Sequence, residues 1–206
     1  MALSPSGSAS LFQSSWRTTL ALPEFPPIIE VRTRALTSDV TRPSELAFTI
    51  RNYRAADFDR LWHIDQRCFP PGIAYTQMEL NGYIMRRNAI TLVGELLSAG
   101  ADERPAADVS RIAGFVVAHP LHRKYGRILT LDILPEARRG GLATRLMTTC
   151  EERLRTLGCS ELFLETAVNN EPAIRLYRKL GFQILSTIPD YYPSHSLDAY
   201  RMGKQL

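Results

Sequence analysis

In this sequence of 206 residues, the segment best suited to binding a charged ligand is a turn with two arginines followed by two glycines. It comprises Arg138, Arg139, Gly140 and Gly141, between a predicted strand and the start of a predicted helix. The first N–H groups of a helix have no intrahelical partner and lie at the positive end of its dipole. Glycines let the backbone approach a phosphate closely. The turn therefore predicts a pyrophosphate site, and the alternative is a tight turn with solvated arginines.

Other patterns that bind phosphates or metals are absent from the sequence. Neither GxxxxGK[ST] nor GxGxxG occurs. The four histidines form no HxxxH or HxH pair, so no metal site is predicted. The three cysteines are odd in number and match neither a disulfide framework nor a zinc site. Reduced thiols in a cytoplasmic protein are the interpretation that this usage favours.

The elements that must position the turn follow from hydrophobic periodicity and from capping residues. They predict the order β-α-α-β-β-β-α-β-α-β-β, in which the fourth strand, a helix and the fifth strand form a parallel βαβ unit. Thr76 and Glu79 form a capping box, and Asn170 caps the last helix. The predicted helices cover 55–68, 76–87, 141–157 and 171–180, and the predicted strands cover 46–51, 89–97, 111–118, 127–133, 160–167, 182–188 and 198–204.

Composition separates the chain into two parts. Residues 1–45 are rich in serine and proline and are expected to form a disordered N-terminal extension, followed by one domain over 46–206. The chain carries 25 Lys and Arg against 21 Asp and Glu, a formal charge of +4. This excess suits a small polyanionic ligand and does not predict nucleic-acid binding. No apolar run approaches the roughly 20 residues that span a bilayer, so no membrane partner is predicted.

Two ordered motifs carry a resemblance to a known family. The spacing RxxGxA at Arg138, Gly141 and Ala143 resembles the acyl-CoA pyrophosphate motif of the GNAT N-acetyltransferase superfamily. That motif commonly ends in glycine, where this chain has Ala143. Residues 170–182 resemble the second signature, N-x-x-A-I-x-L-Y-x-x-L-G-F. Residues 190–193 and 198–202 are similar to the closing hairpin of the RimI-like branch, the ribosomal-protein-alanine N-acetyltransferases.

The resemblance implies a fold and an activity. The fold is α/β, with a mixed, mostly antiparallel central sheet flanked by helices and with acetyl-CoA in the opening where the fourth and fifth strands part. The activity is direct transfer of acetyl from acetyl-CoA to the N-terminal α-amine of a protein or peptide, in a ternary complex and without a metal. A ribosomal protein is one candidate acceptor. A GNAT enzyme for a small amine and a non-catalytic acyl-CoA-binding module are the alternatives.

The resemblance also implies which residues bind the acetyl donor. Backbone groups of the fourth strand would pair with the pantetheine arm, the turn and first helical residues would hold the pyrophosphate, and Asn170 would contact the cofactor near the pantetheine. Helix capping by itself also explains Asn170. The strand residues are Leu131, Asp132 and Ile133, and the pyrophosphate residues are Arg138, Arg139, Gly140, Gly141, Leu142, Ala143 and Thr144.

Two residues match catalytic positions of the family. Glu165 matches the general base, and Tyr177 matches the general acid that protonates the departing thiolate. An α-amine has a reference pKa of about 8, so a useful fraction is neutral at physiological pH and the base removes one proton. The alternatives are a core position for Tyr177 and a salt-bridged strand-end acid for Glu165.

Four aromatic residues match the acceptor-binding segments of the family: Phe69, Tyr75, Tyr191 and Tyr192. The four side chains would form the wall of the acceptor site, and the tyrosine hydroxyl groups would bond the backbone of an incoming peptide. Ordinary hairpin packing is the alternative for the last two. A basic segment that includes His119 and Lys124 is predicted as solvated turn residues, with attraction of the cofactor's 3′-phosphate as the alternative.

Overall fold

A computed structural model describes residues 47–97, 111–121 and 124–206. The predicted extension over 1–45 and the segment 98–110 lie outside the described residues. Within these ranges the element order is the predicted one. The helices are α1 (Phe58–Cys68), α2 (Gln77–Ile84), α3 (Leu142–Thr156) and α4 (Glu171–Lys179), and the strands are β1 (Phe48–Asn52), β2 (Ile90–Leu96), β3 (Ile112–Pro120), β4 (Tyr125–Ile133), β5 (Glu161–Ala167), β6 (Gln183–Tyr192) and β7 (Leu197–Gln205).

The seven strands form one sheet in the order β1-β2-β3-β4-β5-β7-β6. Only β4 and β5 pair in parallel, because α3 carries the chain back between them, and the other described pairs are antiparallel. The prediction of a mixed, mostly antiparallel sheet flanked by helices is confirmed.

The parallel pair β4–β5 is short, and this creates an opening in the sheet. In the described residues β4 and β5 pair from Tyr125 to Arg127 on β4, opposite Glu161 to Phe163 on β5. Beyond Arg127, β4 stays paired with β3 on its other side, while β5 stays paired with β7. Six residues of β4 thus border the opening where the sequence predicts that the fourth and fifth strands part.

Helix α3 is held against the sheet by its apolar side. Leu142, Leu146, Cys150 and Leu154, at the predicted spacing of four, are all fully or almost fully buried. Gly94 of β2 permits close approach, because a Cβ there would collide with a terminal carbon of Leu142. This packing fixes the start of α3 beside β4.

Two boundaries differ from the sequence predictions. Helix α2 ends at Ile84 rather than near residue 87, because Met85 leaves helical geometry and Asn88 has a φ of 62°. Strand β3 runs to Pro120, so the prediction of His119 as a solvated turn residue is wrong. His119 is 4% exposed, its Nε2 lies 2.7 Å from the Tyr83 carbonyl oxygen, and burial lowers its pKa. No helix in the described ranges is long and apolar enough to span a bilayer.

Candidate functional site

The start of α3 has the backbone geometry of an anion site. Gly141 is the N-cap with a φ of 86°, and Arg139 has a φ of 65°. No side chain caps the helix, and no acidic residue lies in its first turn. The first N–H groups of α3, on Leu142, Ala143 and Thr144, therefore fit a diphosphate through main-chain hydrogen bonds and the helix dipole.

The side chains around this turn have different environments. Leu142 is buried in the core, so it offers only its main chain to a ligand. The Nε of Arg138 donates to the Ile133 carbonyl oxygen at 3.0 Å, and this hydrogen bond directs the arginine along the end of β4. Arg139 is exposed. The turn thus combines one tethered and one solvent-facing cation, both suited to a phosphate.

The end of β4 contributes three predicted cofactor-binding residues to the edge of the opening. Leu131 is half-buried, whereas Asp132 and Ile133 are buried. The Ile133 carbonyl oxygen also accepts from the Sγ of Cys68, at 3.3 Å. Contact of these backbone groups with a pantetheine arm stays a prediction.

Asn170 caps α4, as its position in the sequence predicts. Its Oδ1 accepts from the N–H of Ala173 at 3.3 Å. The cap fixes where α4 begins and therefore where Tyr177, two turns later, meets the core. A contact between Asn170 and a cofactor stays a prediction.

Tyr177 lies in the core, where it packs against Phe182. Its side chain is 8% exposed, and its ring is 5.8 Å from that of Phe182, centroid to centroid. Burial, with Asp132 and Tyr192 nearby, raises its pKa above the ordinary value. The hydroxyl group therefore keeps its proton at neutral pH, which a general acid needs, and the ring also fills the core.

Glu165 is held by two arginines on neighbouring strands. Its Oε2 accepts from the Nε of Arg127 at 3.0 Å and lies 2.9 Å from the Nη2 of Arg127 in an ion pair. Its Oε1 accepts from the Nε of Arg201 at 3.1 Å. The Glu165 side chain is only 3% exposed. The arrangement matches the salt-bridged alternative, and the general-base role stays a prediction.

Three of the predicted acceptor tyrosines gather around Arg127. The Nη2 of Arg127 donates to the Tyr191 hydroxyl oxygen at 3.2 Å. The Tyr191 and Tyr192 rings stand nearly perpendicular, with centroids 4.9 Å apart. The Tyr75 hydroxyl donates to the Leu129 carbonyl oxygen at 3.3 Å, and Tyr75 also lies in the field of Arg127. We call Tyr75, Tyr191, Tyr192 and Arg127 the tyrosine–arginine cluster.

The hydroxyl groups of the three tyrosines keep their protons at neutral pH. Burial raises the pKa of Tyr75 and Tyr191 well above the ordinary value, and burial with nearby Glu165 raises the pKa of Tyr192 to about 12. Phe69 lies at the end of α1, where its N–H donates to the Asp65 carbonyl oxygen at 3.0 Å. Its side chain is half-buried, and a role in acceptor binding stays a prediction.

The 69–75 loop contacts the β6–β7 hairpin directly. The Oγ of Ser194 donates to the Gly72 carbonyl oxygen at 3.2 Å. Gly72 has a φ of 87°, and a Cβ at this position would lie 2.7 Å from that Oγ. The two segments that the sequence assigns to acceptor binding therefore meet above the tyrosine–arginine cluster.

The sequence prediction missed Arg127 and Arg201, which hold Glu165 at this site. The available signal was a cation inside a strand, since Arg127 lies within β4. In the described ranges no group of three or more His, Cys, Asp or Glu side chains could hold a metal ion.

Comparisons with known proteins agree with this architecture. The chain is 26% identical over 171 residues to an N-alpha-acetyltransferase of Saccharolobus solfataricus, which covers 77% of this chain and 93% of the relative. The crystal structure of Ard1 from Thermoplasma volcanium matches with a TM-score of 0.64 and 27% identity, over 78% of this chain and 98% of that one. The ribosomal-protein-S18-alanine N-acetyltransferase of Escherichia coli matches with a TM-score of 0.63 and 22% identity, over 77% and 94%.

A model of the acetyltransferase (GNAT) family matches residues 58–182. The matched range runs from α1 to the start of β6 and includes the α3 turn, Glu165 and Tyr177. Because it spans more than half of the chain, the chain belongs to the acetyltransferase (GNAT) family, and it is an N-acetyltransferase.

Proposed function

We propose that this enzyme transfers acetyl from acetyl-CoA to the N-terminal α-amine of a protein or peptide. The observation that carries the proposal is the opening between β4 and β5, with the uncapped start of α3 beside it and the tyrosine–arginine cluster on its border. The α3 end of the opening suits a diphosphate, and the other end offers hydroxyl groups to a peptide backbone.

The cysteines support our inference of a cytoplasmic location. Two of the three thiols are buried and none forms a disulfide.

The donor-binding role belongs to main-chain groups of β4 and α3. The amides of Leu142, Ala143 and Thr144 would bind the diphosphate, and Arg138, Arg139 and Gly140 would surround it. The free edge of β4 after Arg127 would pair with the amide-rich pantetheine arm as an added strand does. These groups are already oriented by the sheet and by α3, so binding requires little reordering.

The proposed chemistry forms a C–N bond and breaks the thioester C–S bond in one direct displacement. Glu165 takes up the amine proton through a water molecule, while Arg127 and Arg201 fix the position of its carboxylate. Tyr177 donates its hydroxyl proton to the departing sulfur. Protons therefore balance, since one leaves the amine and one reaches the thiolate.

A peptide acceptor is favoured over a free amine by the cluster and by the relatives. The hydroxyl groups of Tyr75, Tyr191 and Tyr192 would suit a chain of backbone amides at this border of the opening. The Saccharolobus relative is an N-alpha-acetyltransferase, and the E. coli neighbour acts on a ribosomal protein. A ribosomal protein is therefore one candidate acceptor.

An acetyl-transfer assay against a panel of N-terminal peptides tests the proposal, with free lysine and polyamines as controls. We expect turnover of some peptides and little turnover of the free amines. Acceptance of small amines alone would overturn the peptide assignment. Calorimetry with coenzyme A tests the donor half separately, and binding without any turnover would indicate an acyl-CoA-binding module instead.

A further inference from the structure

Two carboxyl groups meet in the core directly behind the site. Asp65 of α1 and Asp132 of β4 are both 0% exposed. The Oδ2 of Asp65 accepts from the Tyr75 N–H at 2.8 Å and from the Gln66 Nε2 at 3.0 Å. The Oδ1 of Asp132 accepts from the Thr130 hydroxyl group. Each carboxyl group therefore has one oxygen occupied by donors of its own neighbourhood.

The other oxygen of each carboxyl group is buried and unpaired among the described residues. The Oδ1 of Asp65 and the Oδ2 of Asp132 are buried and receive no hydrogen bond from any other described group. The two side chains interact electrostatically, and a hydrogen bond between their unpaired oxygens would need a proton on one of the two carboxyl groups. Two adjacent ionised carboxylates would also repel each other strongly in the core.

The groups around the pair supply little positive charge. Glu79 of α2, Cys68 of α1 and Tyr75 of the 69–75 loop face it, together with Tyr177 of α4. Arg138 interacts with Cys68. Burial raises the pKa of Asp65 to about 6, and burial with the charge of Asp65 raises the pKa of Asp132 well above its ordinary value. The surroundings thus favour one negative charge on the pair, not two.

The pair connects the two halves of the proposed site. On one side Asp65 holds the backbone of Tyr75, whose hydroxyl group reaches the Leu129 carbonyl oxygen. On the other side Asp132 belongs to the β4 edge that would lie along the donor. We propose that Asp65 and Asp132 are positioning residues that share one proton and thereby fix the 69–75 loop to β4, a role that rests on the proposed function. Loss of that proton would separate the two carboxylates and release Tyr75.

Infrared difference spectroscopy with isotope-labelled aspartate tests the shared proton without any substrate. We expect a protonated carboxyl band in the wild-type protein at neutral pH, and its loss on alkaline titration. Asp65→Asn and Asp132→Asn should both abolish the band, because an amide N–H then replaces the shared proton. Asp59→Asn, an exposed position of the same helix, is the control and should keep the band. Absence of the wild-type band, or its persistence in both variants, would overturn the shared proton.

Kinetics test the positioning role. Asp65→Ala removes the acceptor of the Tyr75 N–H and should raise the peptide KM about tenfold, with a smaller change in the acetyl-CoA KM. Asp65→Asn keeps an oxygen for Tyr75 and an N–H for Asp132, so its peptide KM should rise less than about threefold. Equal effects of the two variants would overturn the role. If the wild-type chain acetylates no peptide, the proposed function and the positioning role both fall, while the infrared result still decides the shared proton.

Discussion

The two ends of the β4–β5 opening are built from different parts of the chain. At the α3 end the groups offered to a ligand are main-chain amides, made available by the left-handed conformation of Gly141 and by the missing side-chain cap. At the other end they are side chains, in which Glu165, Arg127 and Tyr191 depend on one another through hydrogen bonds. A main-chain site is sensitive to backbone conformation, whereas a side-chain network is sensitive to each member's charge. Substitutions at the two ends of the opening should therefore impair the enzyme in different ways.

Glu165→Gln should have the largest effect, and it should affect stability as well as turnover. It leaves Arg127 and Arg201, both mostly buried, without their shared anion. Removing one partner of a buried pair costs about 3 kcal/mol, so we expect a fall of that size in the free energy of unfolding, measured by urea denaturation. Acetyl-CoA affinity, measured by calorimetry, should be much less affected.

The control for this variant lies on the same strand. Glu161→Gln breaks an ion pair with Lys124, whose side chain is 58% exposed, so it should cost much less stability than Glu165→Gln. If Glu165→Gln costs no more than Glu161→Gln while turnover is lost, the carboxylate acts in the reaction alone and the network contributes nothing to stability.

Tyr177→Phe should lower kcat about a hundredfold, because it removes the only proton-donating group of this side chain. The ring stays in the core against Phe182, so stability and acetyl-CoA affinity should hold. Tyr53→Phe, at a half-buried position next to β1, should leave kcat unchanged. Wild-type turnover in Tyr177→Phe, on a confirmed peptide substrate, would exclude Tyr177 as the general acid.

Two glycines with nearly equal φ, Gly72 and Gly141, allow the two ends of the β4–β5 opening to be tested separately. Gly72→Ala places a Cβ against Ser194 and should raise the peptide KM about tenfold, since strain and collision add. Gly141→Ala meets only Phe48 at 4.0 Å and suffers backbone strain alone, so it should weaken acetyl-CoA binding about fivefold. Each variant should leave the other substrate's constant nearly unchanged. Gly82→Ala, in open space on α2, is the glycine control and should affect neither constant.

Ser194→Ala should have the smallest effect, because it removes one exposed hydrogen bond between the hairpin and the 69–75 loop. We expect the peptide KM to rise about twofold. Combined with Gly72→Ala, it should relieve part of the collision, so the double variant should bind peptide better than Gly72→Ala does. Strict additivity in this pair would show that the two segments do not interact in solution.

The sequence predicted the α3 end well because its signals are local. A helix start needs particular residues within a few positions, and the glycine turn, the Thr76 capping box and the Asn170 cap all lie where the sequence predicted them. The order of elements and the parallel β4–β5 unit followed from the same local signals.

The side-chain network could not be predicted in the same way. Strict alternation along β4 would send Arg127 and Asp132, five residues apart, to opposite faces of the sheet. The register between β4 and β3 shifts so that Leu129 has no partner on β3. Arg127 and Asp132 both lie near Tyr75 as a result. A bulge depends on how a strand pairs with another strand, so the residues of β4 alone do not predict it. The contacts of Glu165 with Arg127 and Arg201 also depend on strand pairing, because the three residues lie on three different strands.

The hydrogen bond between Ser194 and Gly72 bears on how an acceptor enters. If the proposed acceptor passes beneath this bond, a free chain end would enter by threading, whereas a lysine in the middle of a folded segment would enter only after the bond had opened. The selection of α-amines over internal lysines would then be a matter of geometry at the entrance, decided before any bond to the substrate amine is made.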